Sequence, residues 1–100
     1  MGIGFVIEEL EERIVAIYSI VNNYEDERSL CAFAGMVAEL KYLIYFLKIP
    51  NIRLGTKIKE LEKRLLIINN LLEIATEDSQ KNSLKGARFE LKGALDLLKN

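Results

Sequence analysis

Residues 30–47 read Leu-Cys-Ala-Phe-Ala-Gly-Met-Val-Ala-Glu-Leu-Lys-Tyr-Leu-Ile-Tyr-Phe-Leu, and only Gly35, Glu39 and Lys41 interrupt the apolar character. A helix that is apolar almost all the way round has to be surrounded, by its own chain or by a second copy. The stretch is also about as long as a membrane span. Glu39 and Lys41 fall near its middle, however, where each charge costs roughly 2.5–3.5 kcal/mol on insertion scales. The opening Met-Gly-Ile-Gly-Phe-Val has no basic flank and leads straight to Glu8 and Glu9, unlike a signal peptide. Val6 stands where a myristoylation pattern needs Ser or Thr. The expectation is a cytoplasmic protein with no membrane partner.

The remainder of the chain offers material to surround that helix. One proline and six glycines leave little for turns, so few, long elements are expected. With 50% apolar and 29% charged residues in a length of 100, one folded helical domain over 1–100 is expected. Helix 1 is predicted over 3–22, with Ile3, Ile7, Leu10, Ile14, Ile17 and Val21 on one seam in alternating steps of four and three. Glu8, Glu9, Glu11 and Glu12 suit its positive end, and Glu9 is placed to pair with Arg13. Asn23 offers a left-handed stop, and Asp26 or Ser29 a cap for the next helix.

Helix 2 is predicted over 27–48, ended by Pro50, which drives Ile49 out of helical dihedrals. One seam is Leu30, Phe33, Val37, Leu40, Ile44 and Leu47. Helix 3 is predicted over 52–75, with Asn51 or Thr56 as cap and a heptad run from Leu54 to Ala75. Glu60 is placed to pair with Arg64, and Leu66, Ile67, Leu71 and Ile74 widen the second half enough to pack on more than one neighbour. Helix 4 is predicted over 79–98, with Asp78 or Ser79 as cap. It contains a repeat, Leu84-Lys85-Gly86-Ala87 and Leu91-Lys92-Gly93-Ala94. A mid-helix glycine costs about 0.8–1 kcal/mol against alanine, so a packing reason is expected for both. The fold class that follows is all-α: an antiparallel four-helix bundle, up-down-up-down, and dimeric. Continuity of helices 3 and 4 through Thr76–Ser83 is the alternative, since no proline forbids it.

Several chemistries are excluded by residue type. The chain has no histidine and one cysteine, Cys31, so no intrachain disulfide, Cys-His pair or His-containing triad can form. Cys31 lies inside the apolar run and reads as a small hydrophobe. Glu8-Glu9-Leu10-Glu11-Glu12 matches the first half of the pattern by which helical nucleotide pyrophosphatases hold magnesium. The Glu-x-x-Asp of the second half is lacking, because the nearest candidate, Glu39-Leu40-Lys41-Tyr42, ends in tyrosine. An acidic, solvated face is the simpler reading. No catalytic residue, metal or cofactor is expected.

Two surfaces remain. The second seam of helix 2, Cys31, Gly35, Ala38, Tyr42 and Tyr45, is small at one end and aromatic at the other, which suits an isologous contact. Lys81, Lys85, Arg88, Lys92 and Lys99 line one stripe of helix 4. Residues 1–50 carry four basic and eight acidic groups, and residues 51–100 ten and seven. Lys92 and Lys99 are thus expected to face Glu8, Glu9 and Glu12 rather than a polyanion. The expected function is a non-enzymatic protein–protein interaction module, an adaptor, regulator or inhibitor. It would form a homodimer through helix 2 and bind a protein partner not yet identified. A nucleic-acid-associated protein using the helix 4 stripe is the alternative. The small size and composition fit an accessory protein of a phage or prokaryotic operon.

Overall fold

A computed structural model describes residues 2–100. Four α-helices follow in order, α1 (Ile3–Val21), α2 (Glu27–Lys48), α3 (Leu54–Ile74) and α4 (Asp78–Lys99), with no strand among the described residues. They form an all-α helical bundle with extents of 40 × 32 × 20 Å.

Local chemistry sets the breaks. The Asp26 carboxylate accepts the Ser29 N–H at 3.0 Å and caps α2. That contact holds the carboxyl below its ordinary range, chiefly through the Ser29 backbone N–H. Pro50 places Ile49 at ψ 123°, outside the helix, and Asn51 turns the chain with φ 67°. Asn51, rather than Asn23, is the non-glycine residue in left-handed backbone among those described. Neither Asn51 nor Thr56 caps α3, which starts at Leu54, with Arg53 before it in extended conformation. Ala75 and Glu77 are both extended, so α3 and α4 are separate helices. Glu77, not Asp78 or Ser79, holds the position before α4 and makes no side-chain cap.

Packing centres on α2 and α4, which share the broadest contact; α1 lies on α2, and α3 on α4. The α2–α4 pair has a small end and a large end. At the small end Gly35 lies against the Ser83 backbone and Gly86 against the Ala32 carbonyl. A Cβ on Gly35 would stand 2.7 Å from the Ser83 carbonyl carbon, and one on Gly86 would stand 3.0 Å from Met36 Cγ. Absence of a side chain is what permits two backbones to approach so closely. At the large end Leu40, Leu43 and Leu47 of α2 and Leu91, Leu95 and Leu98 of α4 are buried in one cluster, joined by Val6, Leu10 and Ile17 of α1 and Leu61 and Ile68 of α3. Each fully buried leucine contributes about 1.5–3 kcal/mol. The heptad positions of α1 prove less closed than their spacing suggests. Val6 is fully buried, whereas Ile3, Ile7 and Ile14 are only partly covered.

Candidate functional surfaces

The second seam of α2 divides. Its small end faces α4: the Ser83 hydroxyl donates to the Cys31 carbonyl at 3.0 Å, and Gly35 meets the Ser83 backbone. Cover for Cys31 and Gly35 therefore comes from within the chain, so Gly35 is not available to a second copy. Ala38 is exposed and borders an apolar groove of about 430 Å³ between α1 and α2, lined by Tyr18, Leu30, Phe33 and Val37 among others. Tyr42 turns towards α3, where the Arg64 guanidinium lies over its ring at 3.7 Å from the centroid. Tyr45 is 70% exposed. The five residues do not make one continuous free face.

Electrostatic order inside the bundle comes from long-range pairs that sequence spacing does not show. Glu39 is 2% exposed and accepts from Arg64 Nε and Nη2, both at 2.7 Å. Glu90, also 2% exposed, accepts from Arg13 Nε and Nη2 at 2.6 and 2.8 Å. These forked contacts, first as hydrogen bonds and then as charge pairs, raise both guanidinium pKa values. Arg13 was expected to pair with Glu9 and Arg64 with Glu60. A carboxylate removed from water needs a cation far more than a solvated one does, so the buried partners win. Glu60 is left with Lys63 at 3.3 Å. Lys57 is buried and donates to the carbonyls of Leu47 (2.7 Å) and Ile49 (2.8 Å), closing the C-terminal end of α2. Among the described residues, no buried side-chain nitrogen or oxygen lacks a partner.

The basic stripe of α4 is also divided. Lys85 and Lys92 are exposed, while Lys81 and Arg88 are half-buried, with Arg88 reaching Asn69 at 3.3 Å. Lys99 pairs with Glu62 of α3 at 2.7 Å rather than with the glutamates of α1. Lys92 does line a groove of about 520 Å³ with Glu9 and Asp96, on the open side of Gly93. Phe89, 62% exposed, stands in the same groove, with the Arg13 guanidinium 5.8 Å from its ring centre. The acidic run of α1 is not joined by a second carboxylate cluster, because Glu39 is engaged by Arg64. Among the described residues, no group of three or more His, Cys, Asp or Glu side chains could hold a metal ion.

Two features escaped the sequence reading. Lys57 follows the loop that turns at Asn51, so its reach back to α2 depends on a turn that sequence pattern alone does not specify. The second is the outer face of α3. Leu66, Ile67 and Ile74 are 62%, 58% and 73% exposed, and Leu71 is also exposed, where packing on several neighbours was expected. The adjacent Asn69-Asn70 was the available hint that this face is not core. One helix, α2, is long and apolar enough to cross a membrane by length and composition, with 28% of its apolar window buried. Comparison with protein-family models, with curated proteins and with solved structures gave no match.

Proposed function

We propose that this chain is a non-enzymatic protein–protein interaction module that self-associates, works in the cytoplasm and acts by surface complementarity. The observation that carries this reading is the disposition of its large apolar side chains. Val15, Tyr45, Leu66, Ile67, Ile74 and Phe89 are each more than half exposed, and they are spread over all four helices. Single exposed apolar residues are ordinary, but Leu66, Ile67, Leu71 and Ile74 lie close together along α3, and neighbouring ones on a small domain are the mark of a contact surface. The inward charges, by contrast, are paired. We read the helices as an up-down-up-down antiparallel bundle. Support comes from register: Lys57 reaches Leu47 while Arg64 reaches Glu39, and Lys99 reaches Glu62 while Arg88 reaches Asn69. In both helix pairs one residue number rises as the other falls.

The test is capture from the native host with immobilised wild-type chain, alongside a variant with Tyr45→Glu, Ile67→Glu and Phe89→Glu. A protein retained in stoichiometric amount by the wild type and lost by the variant is the expected result. Absence of both a retained protein and any self-association at micromolar concentration would sink the proposal. A nucleic-acid role has one observation in its favour, the exposed Phe89 one turn from Lys85 and Lys92. Asp96 and Glu9 in the same groove oppose it. Salt-dependent retention on a polyanion column, abolished by Lys85→Glu with Lys92→Glu, would transfer preference to that role.

A further inference from the structure

We propose that the second copy docks on the outward face of α3, helix against helix in antiparallel register, about a two-fold axis near Asn70. This rests on the self-association reading above and assigns its surface. Ile67, Leu71 and Ile74 are spaced four and three apart, so they form a single ridge along α3, and all three are exposed. An antiparallel copy sets Ile67 of each chain beside Ile74 of the other and brings the two Asn70 side chains together. Asn70 is exposed. A carboxamide carries both donors and an acceptor, so two related by a two-fold axis satisfy each other and pin the register.

Charge along the ridge fixes the direction. Lys59 and Lys63 are exposed on its N-terminal side. Glu73, Glu77 and Asp78 are exposed at its other end, and none of these three makes an ion pair among the described residues. Antiparallel docking brings Lys63 of each copy, which in its own chain reaches Glu60, to the end of the other's α3, beside Glu77 in the link and Asp78 at the start of α4. Parallel docking would stack the three acids on their own equivalents, which is repulsive. One helix face makes a contact at the small end of the range for specific interfaces, below about 1,200 Å² in total, so a dimer of micromolar rather than nanomolar affinity is expected.

Sedimentation of the full chain over rising micromolar concentration tests this. The expected result is a concentration-dependent dimer that Ile67→Glu with Ile74→Glu converts to monomer, with helix content unchanged and with melting equal to that of the wild type at concentrations too low for it to dimerise, because both side chains are exposed. Ile67→Gln with Ile74→Gln serves as a milder pair should the charged variant fold poorly. Lys63→Glu alone should weaken the dimer several-fold, and Lys63→Glu with Glu77→Lys and Asp78→Lys should restore it. Failure of that restoration would overturn the antiparallel register. A dimer that survives both isoleucine pairs but is lost in Tyr45→Glu would overturn the α3 assignment while keeping self-association, on α2. A wild type that stays monomeric throughout would overturn the docking and the self-association together, leaving only the capture of a different protein.

Discussion

Gly86 and Gly93 hold the same place in two copies of one sequence, Leu-Lys-Gly-Ala, and their surroundings are opposite. Seven residues bring a helix back to nearly the same face, about 20° short of two turns, so α4 itself does not distinguish them. What lies across from them does. Gly86 meets the Ala32 carbonyl, whereas a Cβ on Gly93 would meet nothing within 4 Å. Opposite Gly86, α2 presents Ala32 and Met36, whereas Gly93 is exposed and lines the groove shared with Glu9, Leu10 and Arg13 of α1. The α2–α4 pair approaches backbone to backbone where both sequences are small and packs through leucine side chains where both are leucine-rich. A local repeat thus says where a contact is possible, and the partner helix decides which copy makes it.

The contrast can be broken most sharply at the close crossing. Gly35→Ala and Gly86→Ala each put a methyl group into the backbone of the neighbouring helix. Each should cost about 3 kcal/mol, the upper end for overpacking, because the obstacle is not a flexible side chain. Denaturant midpoints read this directly. A loss below about 1 kcal/mol at both sites would mean that the close crossing does not exist.

A comparable effect is expected beside the leucine-rich end. Arg64→Ala leaves Glu39 buried without a cation, at a cost of about 3 kcal/mol, the lower end for a broken buried pair because Arg64 is one-third exposed. Replacing both, Glu39→Leu with Arg64→Leu, should recover most of that loss. A double variant no better than Arg64→Ala would show that the fork has a structural role beyond neutralising Glu39.

Smaller and opposite in sign is the change at the open glycine. Gly93→Ala should raise stability by about 0.8–1 kcal/mol, since it removes a helix-interior glycine and meets no neighbour. Destabilisation there would erase the distinction between the two repeat copies.

The smallest effect is a dependence on pH. Asp26 has a depressed pKa, so its contribution is complete above its unfolded value of 3.8 and fades as the pH falls through the folded value. Asp26→Asn keeps an acceptor for the cap and should flatten that acid limb slightly in thermal melts. Arg13 and Arg64 have raised values, so their contributions are fully present throughout the range below the ordinary arginine value and are lost only in strong alkali. They leave no trace near neutrality.

Helix positions were legible in the chain because their causes are local. Pro50 acts on its neighbour Ile49, Asp26 acts on Ser29, and α2 runs over the predicted 27–48. The close crossing was half legible: the glycines asked for a close contact, but nothing in one helix names the helix that supplies it. Glu39 looked like an interruption in an apolar run and is a fully paired core residue, because Arg64 lies 25 residues away in sequence. The α3 face failed for the converse reason. Leu66, Ile67 and Ile74 carry the composition of a core, and whether such residues meet a neighbour depends on how many helices the chain has left to offer. After α1 packs on α2 and α3 packs on α4, no further helix remains for that face.

The central crossing also bears on how the molecule comes into being. Ser83 bonds to Cys31 across 52 residues, and Gly35 meets Ser83 and Gly86 meets Ala32 over similar spans. Contacts within α1–α2 and within α3–α4 close shorter loops and carry a smaller entropic cost. Each hairpin can therefore assemble as its own residues become available, while the α2–α4 seam waits until the chain has been synthesised beyond Gly86. Until then the leucines of α2 have no α4 to cover them. That interval of synthesis, more than the finished fold, is where this chain is most open to aggregation.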